Sequence, residues 1–112
     1  MTTDLKDRLE AALERADLDQ AQAARVIGAS PRTVSRWLHD DVKPRPEARE
    51  RLLEFLAVLE HLSKTLAPQA GHDWLFTPNP LLSYYKPADL LQEGRYRDLL
   101  GAIDQLAEGV FV

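Results

Sequence analysis

The sequence predicts an all-α protein. Apolar residues recur at helical spacing along most of its 112 residues, and no stretch shows the period of two that a half-buried strand needs. The seven prolines fall where elements start or stop, and glycines close several of the segments between them. Hydrophobic residues make up 45% and charged residues 29%, the balance of a folded chain with one core and a solvated surface. A division near residue 66 follows from a change of composition. Residues 1–66 form one helical part ending in a long helix, and residues 67–112 form a second, smaller one.

The elements follow in order. Leu5, Leu9, Ala12, Leu13 and Ala16 mark a first helix from about Asp4 to Ala16, with Thr3 or Asp4 as its N-cap. Asp17-Leu18-Asp19 breaks it, and Asp19 caps a short helix through Ala21, Ala23, Ala24, Val26 and Ile27. Gly28 stops that helix in the left-handed conformation. Ser30-Pro31 starts the next, with serine as cap and proline where a missing N–H does no harm. It runs through Trp37 and Leu38 to a loop, residues 40–46, that holds Pro44 and Pro46. A longer helix is expected from Pro46 to Leu66, ended by Pro68. Its apolar face is broad enough to suggest contact with a second copy, with Leu59 in that interface. Short helices are expected over Gly71–Phe76, after Asn79-Pro80 and after Lys86-Pro87, and a last one over Arg95–Glu108.

Composition excludes several classes. Without cysteine there are no disulfides or thiolate metal sites. No apolar run approaches the ~20 residues of a membrane span. The first residues alternate in charge and lack the apolar stretch of a secretory signal, so a cytoplasmic location is expected. The net charge of −4 argues against a non-specific nucleic-acid binder. Its distribution is uneven, however. Between residues 25 and 51, seven cationic side chains stand against four anionic ones.

Within that basic stretch, Ala24, Gly28 and Val34 have the spacing of a helix-turn-helix. A small residue lets two helices cross closely, a glycine makes the turn, and an apolar residue faces back from the second helix. The pattern implies a DNA-binding bundle of the Cro/repressor type whose second helix enters the major groove. Outward positions of that helix are Pro31, Arg32, Thr33, Ser35 and Arg36. Arg32 and Arg36 lie one turn apart and suit bidentate contact with guanine. Gln22, Ser30, Lys43 and Arg45 are candidate backbone contacts. The plainer readings are that the arginines form a solvated i, i+4 pair, that Ser30 only caps, and that Lys43 and Arg45 are ordinary loop charges. Trp37 reads as core.

Residues 67–112 carry no catalytic constellation. There is no phosphate loop and no nucleophile–base pair, and His39, His61 and His72 have neither ligand spacing nor an evident carboxylate partner. No enzyme activity, cofactor or metal is expected. The runs Trp74-Leu75-Phe76-Thr77-Pro78-Asn79, Leu81-Leu82, Lys86-Pro87-Ala88-Asp89-Leu90-Leu91 and Glu108-Gly109-Val110-Phe111 resemble the toxin-binding domain of the Xre/MbcA/ParS antitoxin family. The resemblance spans about residues 68–112, and the ending is close to the mycobacterial members. It implies a RES-domain toxin that degrades NAD as partner, docking through residues such as Trp74, Asn79, Tyr84, Lys86, Gly109, Val110, Phe111 and Val112, and repression of the pair's own promoter.

The apolar tail Gly109–Val112 has two readings: it folds back on its own helices, or it anchors in a partner's cleft with Phe111 as hot spot. In the second, the terminal carboxylate would mimic part of an anionic ligand. Three functions stay in play: a DNA-binding antitoxin, a stand-alone repressor whose C-terminal half only dimerises, and a toxin-binding module that binds DNA poorly. A homodimer is expected, since helix-turn-helix proteins read operators as symmetric pairs.

Overall fold

The structure, a computed structural model, describes residues 4–39 and 42–109. Its helices are α1 (Leu5–Arg15), α2 (Gln20–Ile27), α3 (Pro31–His39), α4 (Pro46–Ser63), α5 (Pro68–Phe76), α6 (Pro87–Gln92) and α7 (Tyr96–Ala107), with a 3-10 turn at Pro80–Leu82. Among the described residues the one trace of β pairing is a bridge between Asn79 and Tyr85.

Local chemistry sets most boundaries. The Asp4 carboxylate accepts from the Asp7 N–H at 2.9 Å and opens α1. Asp19 and Gln22 close a reciprocal capping box at the start of α2. Gly28 takes φ +88°, and its N–H returns to the Ala24 carbonyl at 2.8 Å. Pro31, Pro46, Pro68, Pro80 and Pro87 each occupy the first position of an element. Pro68 therefore does more than stop the long helix. That helix ends at Ser63, three residues before the expected Leu66, because residues 64–66 tighten onto the His61 and Leu62 carbonyls. Pro68 then opens α5, which begins earlier than Gly71.

α4 is the axis of the molecule. Its Leu52, Phe55, Leu56, Val58, Leu59 and Leu62 are at most 1% exposed. They span nearly half the helix circumference at 3.6 residues per turn. The sequence suggested a second copy as cover for this face. The structure corrects that expectation: α1 and α2 from one half and α5 and α7 from the other pack on it. Leu59 is inside the chain and is not available to a partner. The two halves share one continuous core, and α6 of the second half also packs on α2 of the first.

Polar links fasten the halves. The Arg51 guanidinium on α4 donates to the Leu91 carbonyl at 3.3 Å and to the Gln92 carbonyl, placing a cation at the C-terminal end of α6. Arg51, one of the seven cations of the basic stretch, is half-buried and engaged by the chain's own carbonyls. His61 Nε2 lies 2.6 Å from Asp104 of α7, so this histidine has the carboxylate partner that sequence reading did not find. His72 Nδ1 lies 2.9 Å from the Asp17 carbonyl, where Asp17 turns the chain between α1 and α2 at φ 52°. Within the first half, Arg8 donates to both oxygens of Glu60, at 3.0 and 2.8 Å. That bidentate bond raises the Arg8 pKa and lowers the Glu60 pKa below the usual carboxylate range, against a smaller cost of burial. Both side chains are about one-third exposed, so the pair contributes under ~1 kcal/mol.

Two outcomes test this description. At Gly28 an added Cβ would meet nothing nearer than 4.0 Å, so Gly28→Ala carries only the left-handed backbone penalty. That is about 1 kcal/mol, or a loss of ~4 °C in Tm by circular dichroism; an unchanged Tm would refute the left-handed turn. Glu60→Gln should cost up to ~1 kcal/mol at neutral pH. Because the folded state lowers the Glu60 pKa, its contribution is present above the ordinary carboxylate range and disappears as pH falls through the lowered value. Denaturant titrations of wild type and variant should therefore converge in acid; a gap that persists there would show that the effect is not the ion pair.

Candidate DNA-binding and partner-binding surfaces

The first surface is built on α3. Ala23, Ala24, Val26 and Ile27 of α2 and Val34, Trp37 and Leu38 of α3 are all buried. This contact fixes the crossing of the two helices and confirms Trp37 as core. Ser30 Oγ accepts from the Thr33 N–H at 3.1 Å and lies 2.9 Å from Thr33 Oγ1, so it caps α3. With Val34, Trp37 and Leu38 turned inward, the opposite face carries Arg32 and Arg36, both exposed, flanked by half-buried Thr33 and Ser35, and Pro31 is exposed at the start of the helix. No side-chain hydrogen bond or ion pair among the described residues engages Arg32 or Arg36. Their guanidinium groups can present several donors outward in a fixed fork.

Other candidates sit around this helix. Gln22 is half-buried, and its amide oxygen accepts from the Asp19 N–H at 3.1 Å. Its amide NH2 remains as a donor at the first turn of α2. Lys43 and Arg45 are exposed in the segment leading into α4, where the Arg45 carbonyl accepts from the Arg49 N–H. Gln20 and His39, 3.2 Å apart, tie the first turn of α2 to the last turn of α3. Nothing in local periodicity signals that pair, because its members lie 19 residues apart.

The second surface lies between the 3-10 turn and α7. Trp74 is half-buried and packs against the core. Asn79 is held by its own loop: Oδ1 accepts from the Leu81 N–H at 2.9 Å, its N–H donates to the Tyr85 carbonyl at 3.1 Å, and its carbonyl accepts from Leu82 and Tyr84. Leu82 points inward, while Leu81, Tyr84 and Tyr85 are 57%, 72% and 55% exposed. Tyr84-Tyr85 is thus not core. Lys86 is exposed beside them. Gly109 turns at φ 69° after α7. The candidates Val110, Phe111 and Val112 lie outside the described residues. No helix among those described is long and apolar enough to cross a membrane.

This layout has known counterparts. A family model described as a helix-turn-helix domain matches residues 4–66. The mycobacterial cidal antitoxin MbcA of Mycobacterium tuberculosis (strain ATCC 25618 / H37Rv) is 39% identical over 108 residues, covering 96% of this chain and 96% of that protein. A probable mycobacterial cidal antitoxin of the same organism is 35% identical over 101 residues, covering 90% and 86%. In the crystal structure of the M. tuberculosis MbcT–MbcA toxin–antitoxin complex, one chain matches this fold with a TM-score of 0.87 and 38% identity, over 99% of this chain and 100% of that one. The likeness runs from the α3 surface through the shared α4 core to the exposed loop and α7, and on that ground the chain belongs to the MbcA family of antitoxins.

Proposed function

We propose that this protein neutralises a RES-domain toxin that degrades NAD, and that it represses its own operon through α3. Neutralisation is by docking of the C-terminal part, residues 67–112, at the toxin's active-site cleft, with the tail Gly109–Val112 as the inserted element. The observation that carries the reading is the end-to-end likeness to a chain whose solved structure is a toxin–antitoxin complex. The exposed apolar loop supports it, because large apolar side chains clustered at a surface mark an interaction site.

For DNA, the reading rests on Arg32 and Arg36 at the outward face of α3 and on the helix N-terminus capped by Ser30. The net charge of −4 means that long-range attraction to the phosphate backbone is weak. Affinity then comes from close contacts by a symmetric pair of subunits on two half-sites. The homodimer surface lies away from the buried face of α4.

Co-expression with the product of the adjacent gene tests the toxin arm. Wild type should form a stable complex without NAD-degrading activity. A chain truncated after Glu108 should bind at least ~30-fold more weakly, the scale of losing a hot-spot anchor, and should release that activity. Failure of the wild type to bind would instead favour a stand-alone repressor. In a separate assay, Arg32→Ala and Arg36→Ala should each weaken binding to the DNA upstream of the operon by about tenfold, the lower end of one bidentate base contact, while leaving toxin capture intact. Unchanged operator affinity in fluorescence anisotropy would remove α3 as the reading helix.

A further inference from the structure

The end of α7 is capped in a way that sends the chain back along the helix. Glu108 is the C-cap, and Gly109 follows at φ 69°, in the left-handed region that suits glycine. The Gly109 N–H donates to the Leu106 carbonyl at 3.1 Å. That is the inner of the two hydrogen bonds of a Schellman turn. The outer one joins the next N–H, at residue 110, to the third carbonyl from the helix end, here that of Gln105. A turn completed in this way lays residue 110 against Gln105, with Phe111 and Val112 still to follow. Val110, Phe111 and Val112 themselves lie outside the described residues.

Gln105 is one end of an open groove. The groove holds about 390 Å³ and runs along α7 past Gly101 towards Arg97, with Leu81 and Tyr85 on its other wall. Ser83 and Tyr84, at φ 56° and 66°, shape that wall, and the hydrogen bonds of Asn79 hold them in this unfavourable region. An added Cβ at Gly101 would meet nothing within 4 Å, so the floor has room for a bulky side chain. Arg95 also lines the groove, but its charge is met by Asp98 at 2.9 Å. Arg97 has no carboxylate partner among the described residues; its one side-chain hydrogen bond goes to the Tyr96 hydroxyl at 3.4 Å.

Length and chemistry select the occupant. From Gln105 back to Gly101 is one turn, about 6 Å along the helix. Two extended residues beyond residue 110 span about 7 Å, so the chain end comes level with Gly101. The segment Val110-Phe111-Val112 is apolar and closes on a single carboxylate. The groove offers an exposed apolar wall, a bare floor at Gly101 and one unmatched guanidinium. A separate molecule would have to compete with a segment tethered at the groove's own end, whose effective concentration is on the order of millimolar.

We propose that in the free chain the tail Val110–Val112 turns back along α7 and occupies this groove, with Phe111 between Gly101 and Tyr85 and the terminal carboxylate facing Arg97. The contact shelters the apolar end, and a partner that takes the tail into its own cleft must first draw it out. It goes beyond the toxin reading above, which concerns the tail in a complex, and it stands or falls without any toxin.

Two measurements on the full chain test it. Carboxypeptidase Y should release Val112 about tenfold more slowly than from a free peptide of residues 107–112, since cleavage follows the population of the open form. Gly101→Arg fills the groove and improves helix propensity, so it should hold Tm and bring the rate to that of the peptide. Arg97→Gln should raise the rate several-fold. In nuclear magnetic resonance, truncation after Gly109 should move the amide signals of Tyr85 and Gly101 and leave those of α3 in place. Release from wild type that matches the peptide, or that Gly101→Arg leaves unchanged, overturns the proposal, and so do unmoved Tyr85 and Gly101 signals; the toxin reading is untouched by any of these. Protection that disappears on dilution gives the groove to the tail of a second copy and overturns the contact within one chain.

Discussion

The covering of one helix by both ends of the chain is the constraint on which the structure depends. α4 buries six large apolar side chains to 1% exposure or less. Each is worth roughly 2 kcal/mol when removed from water, against a total stability on the order of 10 kcal/mol for a domain of this size. Neither half can leave that face open. α1 and α2 cover one part and α5 and α7 another, and α6 closes against α2. The positions of the α3 surface and of the exposed loop follow from this arrangement, since each is carried on helices packed around the same axis.

The local features were legible in the sequence, and the long-range ones were not. The caps at Asp4, Asp19 and Ser30, the left-handed Gly28 and the prolines at element starts each depend on chemistry within a few residues. The same holds for the small-residue crossing at Ala24. The breadth of the α4 face was also readable, but not its cover. Helical period says which residues want burial and is silent about which segment supplies it. Arg51 reaches carbonyls 40 and 41 residues away, and His61 pairs 43 residues away with Asp104. A cation count over residues 25–51 cannot separate an arginine engaged by the chain's own carbonyls from one free to meet phosphate.

The second surface shows a different limit. Asn79-Pro80 signals a capped turn, and the structure has one. That the following residues pass through two consecutive left-handed positions was not readable, because neither is glycine or asparagine. Their conformation depends on the hydrogen bonds gathered by Asn79. The same bonds turn Leu82 inward and leave its neighbours outside.

A shared core also ties the fates of the two surfaces together. With α4 common to both, local opening of the C-terminal helices uncovers the floor on which the first half rests, so the two surfaces form and melt as one cooperative unit. A ligand that binds only the folded chain, whether at α3 or at the loop, then lowers the unfolded population of the whole molecule in proportion to its own saturation. Cleavage by a protease that attacks the unfolded chain slows at every site when either ligand is present. The lifetime of the protein thus becomes a readout of occupancy anywhere on it, with no change of shape passing between the two ends.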